Sequence, residues 1–502
     1  MSDNQIIATI LVHLFTALIQ LTLWRKTVTQ RIISIIGSLV ALVFAFSLFV
    51  QVYNGDILTM CAANWKAPFG IVFVADTFSA VLVLLTSIAA FAVSVFSAAG
   101  VGRARMLYGY FPIFHFLVMG LNGAFLTGDI FNLYVWFEVI IISSFVLLTL
   151  GGRKAQLEGA VKYMALNILA SMLFLTGIGI LYGITGALNM ADISLRIELV
   201  ENQSIINLTA IFFLISFAIK AAVFPLYFWL PSSYHTPPSA VAAIFGGLLT
   251  KVGLYAMFRV FTLIFAPDDF MKMLFIAMAI MTILTGAFGA VIKTNIRRLF
   301  SYLIVCHIGF MIGGLGLYSK MAILGAVFYL IHDIIVKTNL FLVAGLIRQL
   351  RGTMDMNRLG GIYAEYPKLS LIIALVLFSL VGIPPLSGFW PKIYLIEAAY
   401  TAQNYLFIIG VIAGSFVTLY VIAKLWAEVF WKNASKDPVI QDNFKNIEWY
   451  RKALLVSPVV FLTAVALYIG FNAEMIINIS DKIAGELLDT KPYIEAVLGI
   501  QK

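Results

Sequence analysis

Charged residues are scarce in this sequence. Only 11% of the 502 residues are Asp, Glu, Lys or Arg, and 62% are hydrophobic. Water-soluble chains usually carry about a quarter charged residues, which argues against a soluble domain of this length. Long apolar runs recur along the chain, and a helix that spans a bilayer needs roughly 20 apolar residues. The composition therefore predicts an all-α integral membrane protein.

Cysteines and catalytic motifs are also few. The two cysteines, Cys61 and Cys306, lack the spacing of metal ligands, and no P-loop, GxGxxG, HExxH or CxxC motif is present. The first apolar segment has neither the basic start nor the cleavage site of a signal peptide. The sequence therefore predicts no cofactor and no nucleotide or hydrolytic chemistry. Sodium needs oxygen ligands, but no compact group of carboxylates stands out. The sequence therefore predicts neither the presence nor the position of a metal site.

The apolar runs predict about fourteen membrane helices in one polytopic domain, residues 1–502. Helices 7 and 12 of this set are interrupted by prolines. Such interruptions in two halves of a chain are typical of secondary transporters, so we expect two inverted five-helix repeats, helices 4–8 (109–262) and helices 9–13 (272–431). The predicted helices lie near residues 5–24, 32–53, 76–98, 109–127, 129–149, 160–182, 204–230, 237–262, 272–292, 297–317, 321–347, 369–403, 405–431 and 453–472.

Lysine and arginine concentrate on alternate loops. The loops after odd-numbered helices carry most of them, including Arg103, Arg105, Arg297 and Arg348, and the loops after even-numbered helices carry few. Basic residues accumulate on the cytoplasmic side of a membrane protein, so we expect both termini on the outer side. The net charge of +9 thus reflects topology and does not indicate nucleic-acid binding.

Ionisable residues inside membrane helices are functional candidates because each is costly in lipid. Glu138 lies nine residues after Asp129, roughly 14 Å along a helix that begins there and so near the middle of the bilayer. Asp129 is predicted to be the N-cap. Glu138 is predicted to carry protons. The alternative is a carboxylate that pairs with a neighbouring lysine and docks two helices.

Two lysines lie in predicted helices 7 and 8. Lys220 precedes Pro225, which cannot donate to the helix ladder, and a helix break beside a buried cation is how transporters form midplane sites. A nearby Glu would favour the charged form that burial disfavours, so Lys220 is predicted as an adjustable proton gate, with a static ion pair as the alternative. Lys251 lies near the centre of its helix without an obvious local partner and is predicted as a proton carrier.

Three histidines are relay candidates because histidine titrates near neutral pH. His332 lies in predicted helix 11, where Asp333 and Lys337 are four residues apart and are predicted as an intrahelical ion pair. His307 would extend the same polar line. His235 follows predicted helix 7 and is either an exposed loop residue or a relay at the cytoplasmic mouth.

The segment VGIPPLSGFWPK interrupts predicted helix 12. Lys392 comes directly after the last of its prolines. Irregular backbone at membrane depth lines a cavity or is buried in protein, so Lys392 is predicted as a terminal proton site. The alternative is a lysine that anchors a helix end at the interface. His13 and His115 are interpreted as structural or interfacial residues.

The order of these residues resembles that of the antiporter-like subunits of respiratory complex I, Mrp cation/proton antiporters and membrane-bound hydrogenases. The stretches HTPPSAVAAIFGGLLTKVGLYAMFR, IRRLFSYLIVCHIGF and LVGIPPLSGFWPK are similar to motifs of that family, and GLNGAFLTGDIFNLYVWFEV resembles the Mrp D type most closely. The resemblance covers nearly the whole chain. It implies two half-channels that are joined by a hydrated axis at the membrane midplane.

The resemblance also implies a role for each candidate. Glu138 and Lys220 would form a modulating pair, Lys251 would be the central carrier, His332 would bridge the two halves, and Lys392 would be the far terminus. Further Mrp subunits, of the A, B, C, E, F and G types, would be partners in a hetero-oligomeric complex of the cell membrane.

The expected function is that of the proton-translocating subunit of a multisubunit Na⁺ or other monovalent cation/H⁺ antiporter. Such a subunit is a secondary transporter and not an enzyme. An alternative keeps the fold and changes the partners. In that case the chain would be a proton-pumping subunit of a complex I-like NADH:quinone oxidoreductase or of a membrane-bound hydrogenase.

Overall fold

The computed structural model describes residues 3–433 and 444–499. Its first half contains one short antiparallel pair of strands, β1 (Leu58–Cys61) and β2 (Val72–Ala75), with Leu58 opposite Ala75. A π-helical segment, Phe245–Leu249, joins α11 to α12. The helices of this half are α1 (Asp3–Thr22), α2 (Thr27–Asn54), α3 (Thr77–Gly100), α4 (Arg103–Leu107), α5 (Tyr110–Leu126), α6 (Ile130–Thr149), α7 (Lys154–Thr185), α8 (Met190–Ile197), α9 (Gln203–Ala221), α10 (Trp229–Ser233), α11 (Ser239–Ile244) and α12 (Thr250–Leu263).

The described residues of the second half form helices and one isolated β-bridge, and no strand longer than that. A second π-helical segment, Ala427–Trp431, follows α19. The helices are α13 (Asp269–Val291), α14 (Ile296–Leu317), α15 (Lys320–Arg351), α16 (Ile362–Glu365), α17 (Pro367–Val381), α18 (Phe389–Thr401), α19 (Tyr405–Trp426), α20 (Trp449–Phe471), α21 (Ala473–Leu488) and α22 (Lys491–Leu498).

Twelve helices among the described residues are long and apolar enough to cross a bilayer. Two shorter apolar helices, α5 and α17, lie where predicted helices 4 and 12 were placed. The outer helices expose large apolar side chains such as Phe15, Val43 and Phe416, which lipid or a partner can cover. The all-α membrane fold is thus confirmed, and the count of fourteen helices stays a prediction.

Helix α15 lies at the centre of the fold. It is enclosed by α3, α11, α14, α18, α20 and α21, and its most apolar stretch has no exposed residue. The stretch from α11 to the end of α12 is equally enclosed. Charges on these two helices are therefore shielded from lipid, and only other protein groups or enclosed water can solvate them.

Predicted helices 7 and 12 are interrupted, as the prolines required. Helix α9 ends at Ala221 and the chain becomes helical again at Trp229, while α17 ends at Val381 and α18 begins at Phe389. The residue that follows the helix before each break, Ala222 or Gly382, has a left-handed backbone conformation. In both breaks the amide of the following residue donates a hydrogen bond to the carbonyl five residues earlier. These bonds run from Val223 N to Ala218 O at 2.9 Å and from Ile383 N to Phe378 O at 3.2 Å. The two breaks therefore have the same local backbone.

A second junction also occurs in both halves. Isolated β-bridges join Asp129 to Asn189 and Asn295 to Asp355. The side chains of Asp129 and Asn295 each cap the helix that follows, α6 or α14, so the predicted N-cap role of Asp129 is confirmed. The two junctions and the two breaks support the interpretation of two repeats. The repeat boundaries at 109–262 and 272–431 stay a prediction.

The sequence did not predict the two C-terminal helices. Helix α21 packs against α15, α12 and α3, and α22 packs against α8 and β1. Glu486 on α21 accepts hydrogen bonds from the amide (3.1 Å) and hydroxyl (2.6 Å) of Thr77 at the start of α3. Next to it, Asp76 forms a buried ion pair with Arg259 of α12. The ring of Tyr493 on α22 lies 4.9 Å from the Arg259 guanidinium and covers this pair.

Candidate functional site

Lys251 and Asp333 lie at the centre of the buried charges. The Lys251 Nζ is 2.7 Å from Asp333 Oδ2, and neither side chain is exposed. Lys251 Nζ donates a hydrogen bond to the carbonyl of Gly246 at 3.0 Å. Its contact with Asp333 Oδ2 is an ion pair whose angles are not those of a hydrogen bond. Gly246 belongs to the π-helical segment before α12, and π-bulges within helices are frequent at functional sites. The local backbone thus supplies part of the lysine's environment.

Asp333 also contacts two further ionisable groups. Its Oδ1 lies 3.3 Å from His307 Nδ1 on α14 and 3.9 Å from Lys337 Nζ. The predicted pair of Asp333 and Lys337 is therefore present, but the closer ammonium is that of Lys251 on another helix. Lys337 Nζ is buried and has no hydrogen-bond partner among the described residues. One carboxylate thus faces two ammonium groups and an imidazole inside the protein.

His332 and Lys392 both contact the break between α17 and α18. His332 Nδ1 lies 2.8 Å from the hydroxyl of Ser387, which belongs to the break itself. Lys392 Nζ donates to the carbonyl of Val381 at 2.7 Å, the last residue of α17, whose carbonyl has no partner within its own helix. Lys392 is 7% exposed, so it is not a lysine that extends to an interface. Its position matches a site inside the protein.

Lys220 lies at the end of α9, directly before the other break. Its Nζ lies 3.4 Å from Ser171 Oγ and 4.6 Å from the centre of the Phe137 ring. Among the described residues no carboxylate forms an ion pair with it within 4.0 Å. A cavity of about 20 Å³ beside Lys220 is also lined by Asn167 and Gly253 of α12. This volume is enough for about one water molecule, which would connect α7, α9 and α12.

Glu138 lies on a partly exposed face of α6. Its Oε1 is buried and has no hydrogen-bond partner among the described residues, and its charge acts on Lys220 without contact. The same face of α6 carries the exposed side chains of Phe131, Val135 and Ile142. The expected pair of Glu138 and Lys220 is therefore an interaction at a distance, and not an ion pair, in this chain alone.

Residues 127–418, which include every candidate above, match the family described as NADH:quinone oxidoreductase/Mrp antiporter, transmembrane. The chain is 41% identical to the D-type subunit of the Na⁺/H⁺ antiporter of Alkalihalophilus pseudofirmus and 38% identical to that of Bacillus subtilis, in each case over 99% of both chains. The chain belongs to the Mrp D family of antiporter subunits. A chain of the Mrp complex from Dietzia sp. DQ12-45-1b has the same fold, with a TM-score of 0.89 at 28% identity over 99% of each chain.

His235 differs from the other candidate residues because it lies between two membrane spans, Gln203–Ala221 and Ser239–Leu263. Its Nδ1 is 2.9 Å from the carbonyl of Pro231, and it is only partly exposed. Burial and the nearby guanidinium of Arg298 lower the pKa of His235 to about 4. It is therefore neutral at neutral pH, when it can donate one hydrogen bond and accept another.

Sequence reasoning missed three contributors to this site. Asp333 was assigned to Lys337 alone, because its contact with Lys251 depends on how α12 packs against α15. Ser387, the partner of His332, gave no signal beyond its place in the proline-rich break. The π-helical turn at Gly246 has only the glycine pair Gly246–Gly247 as a sequence feature.

The remaining histidines form a separate contact. His13 Nδ1 lies 3.0 Å from His115 Nδ1, and His115 Nε2 lies 3.0 Å from Ser34 Oγ. These residues belong to α1, α2 and α5, so their structural interpretation stands. Both Cys61 and Cys306 are free thiols. In the part of the chain that the structure describes, no three His, Cys, Asp or Glu side chains are placed to hold a metal ion.

Proposed function

We propose that this chain is the proton-translocating subunit of a multisubunit Na⁺/H⁺ antiporter. The observation that carries the proposal is the buried group of Lys251, Asp333, Lys337 and His307. The sodium assignment comes from the names of the D-type relatives. The chain then acts as a secondary transporter subunit and not as a catalytic enzyme.

The charges of this group do not balance when every member is ionised, since one carboxylate faces two ammonium groups. Two unit charges 4 Å apart interact by about 4 kcal/mol at an effective dielectric constant of 20. A proton that arrives on Lys251 therefore makes the proton on Lys337 less stable, and the reverse also holds. Asp333 would hold one positive charge in place while the second proton moves on.

We place the remaining candidates on either side of this group. Lys220 would exchange protons with the Lys251 side through the water-sized cavity beside Gly253. On the other side, His307, His332 and Ser387 would connect the group to Lys392. Such an axis follows the two helix breaks, which is where transporters bind their ions.

Glu138 and His235 would act at the ends of the axis. Glu138 has an unpartnered carboxylate oxygen on a face of α6 that is otherwise apolar and exposed. A charge in that position is costly against lipid, so we propose that a partner subunit covers it. His235 would relay protons at the mouth between α10 and α11.

The assembly that we propose contains the other Mrp subunit types, A, B, C, E, F and G, in the cell membrane. Both termini of this chain would face outward, as the basic loops indicate. The transported ions would be protons and Na⁺.

The test measures dequenching of a pH-gradient dye on sodium addition in everted vesicles that contain the full operon. Wild type is compared with Lys251→Ala and Glu138→Ala at matched expression. Lys162→Ala serves as the control, because Lys162 forms an exposed ion pair with Glu158 on α7. We expect loss of the response in both site variants, with the complex still assembled, and an unchanged response in the control.

Retained sodium/proton exchange in both site variants would refute the assignment of these residues. A different result would favour the redox alternative that the family description includes. In that case wild-type vesicles would show no sodium response but would acidify when a redox substrate is added. The chain would then be a pumping subunit of a complex I-like or hydrogenase assembly.

A further inference from the structure

A pocket lined by arginines lies at the ends of two central spans, α3 and α15. It has a volume of about 270 Å³ and lies between the end of α3, the start of α4 and the end of α15. Arg105 and Arg348 line it together with Ser239 and the glycines Gly102 and Gly352. None of its lining residues is acidic. We call it the arginine pocket.

Two further arginines, Arg153 and Arg297, act electrostatically on the two that line the pocket. Arg105 is repelled by Arg153 and Arg348, and the buried Arg297 is repelled by Arg348 and Arg105. Burial and these two neighbours lower the pKa of Arg105, which lies outside the spans. The next arginine on α15, Arg351, is by contrast neutralised by Glu365 at 2.8 Å.

The hydrogen bonds of these arginines leave donors available. Arg105 Nε donates a hydrogen bond to the carbonyl of Leu150 at 3.1 Å. Arg297 donates from Nη1 to the carbonyl of Pro237, while its buried Nε has no partner among the described residues. Like charges at close range destabilise a structure unless a counter-charge is bound. The arginines therefore present positive charge and N–H donors that an anion can match.

We propose that the arginine pocket binds a phosphate group, which an anionic phospholipid or free phosphate can supply. Guanidinium groups match phosphate oxygens with paired donors. The pocket lies where α3 and α15 end, which is the level of lipid headgroups, and basic pockets between membrane helices bind such headgroups. The position thus favours the phospholipid as the source.

Gly102 provides a variant that removes the site without changing an arginine. A Cβ at Gly102 would meet no atom within 4 Å, and its φ of −70° suits any residue. Gly102 is the N-cap of α4, a position at which Asp and Asn are both favoured. Gly102→Asp therefore places a negative charge in the pocket, and Gly102→Asn is its neutral control of the same shape.

The experiment uses the full-length protein in its purified membrane complex and a phosphatidylglycerol with a photoreactive headgroup. Crosslinked peptides from 96–105 and 345–352 are quantified by mass spectrometry. We expect labelling of these peptides that phosphatidylglycerol competes and phosphatidylcholine does not. Gly102→Asp should lower it by about tenfold because like charges oppose binding, and Gly102→Asn should leave it within about twofold.

The competitors separate the two sources of phosphate. Competition by inorganic phosphate at the same concentration as the lipid would support the pocket and assign it to free phosphate. Equal labelling in Gly102→Asp and Gly102→Asn would overturn the proposal, as would equal competition by phosphatidylcholine. Both readouts measure binding alone, so they are independent of antiport activity.

Discussion

The ammonium group of Lys251 on α12 lies 2.7 Å from the carboxylate of Asp333 on α15, and both are fully buried. Lys337 shares the same carboxylate at 3.9 Å. Removing one partner of a buried ion pair leaves an uncompensated charge and destabilises a protein by about 3–5 kcal/mol. Asp333 is therefore as important to the site as the lysines that the sequence singled out.

Asp333→Asn should abolish sodium-driven proton exchange and lower the amount of assembled complex. The amide cannot neutralise Lys251 or Lys337, so both ammonium groups are left buried without a counter-charge. Asp333→Glu keeps the charge and should restore assembly in part. Exchange is measured by dye dequenching in vesicles, and assembly is measured by native gel electrophoresis.

A double variant separates the structural from the transport role. Lys251→Met combined with Asp333→Leu removes both charges of the closest pair, so that Lys337 is left as one uncompensated ammonium where Asp333→Asn leaves two. We expect assembly to recover in part relative to Asp333→Asn while exchange stays absent. Recovery of exchange in the double variant would exclude a proton-carrying role for Lys251.

Ser387→Ala should slow proton exchange by about 2- to 10-fold, the equivalent of one lost hydrogen bond. The hydroxyl of Ser387 is the group that contacts His332 Nδ1, at 2.8 Å. Ser379→Ala is a matched control, because Ser379 is a buried serine of α17 without a hydrogen-bond partner among the described residues. The same rate in both variants would show that the His332 contact carries no protons.

Glu138→Gln should reduce exchange by at least about tenfold, which corresponds to about 1.4 kcal/mol in the barrier. The amide retains the shape of Glu138 but loses the charge that acts on Lys220. Glu158→Gln on α7 is the control, since its ion pair with Lys162 is exposed. Equal exchange in the two variants, at equal expression, would contradict a role for Glu138 in transport.

Asp76→Asn should lower the thermal stability of the complex without a direct effect on the proton axis. Asp76 is the only acidic partner of the buried Arg259 among the described ion pairs, and Tyr493 covers the pair from α22. The control is Asp269→Asn, whose ion pair with Lys272 is exposed and should contribute nothing measurable. The check is a melting curve in detergent; an unchanged midpoint would show that α22 docks without this pair.

The apolar runs and prolines predicted the membrane helices and both breaks because these features depend on local sequence. A run of about 20 apolar residues has few alternatives to a spanning helix, and Pro225 and Pro385 lack the amide hydrogen that helices need. The lysines of the site were found for the same reason, as isolated charges in apolar surroundings. The partner of Lys337 was predicted, but the partner of Lys251 was not.

Contacts between distant helices could not be predicted from single positions. The contact of Lys251 with Asp333 requires α12 and α15 to pack at one particular register, which a single sequence does not fix. Lys337 lies at a favourable spacing from Asp333 in the sequence and already explained that carboxylate, so there was no reason to look for Lys251 as a second partner. Helices α21 and α22 were missed because they are too polar to be read as spans, and their contacts with Thr77 and Arg259 depend on the completed fold.

His235 should make the stability of the protein depend on pH between about 6.5 and 4. Burial and Arg298 lower its pKa to about 4 in the folded protein, while an unfolded histidine titrates at about 6.5. The unfolded chain therefore binds a proton first as the pH falls, and folding stability is lost over this range. Above about pH 6.5 the contribution of His235 is fully present.

His235→Gln lacks this titration, so its melting temperature should fall less steeply than that of wild type between pH 6.5 and 4. The two slopes should be equal between pH 7 and 8. Parallel curves over the acidic range would show that His235 is not buried as a neutral group.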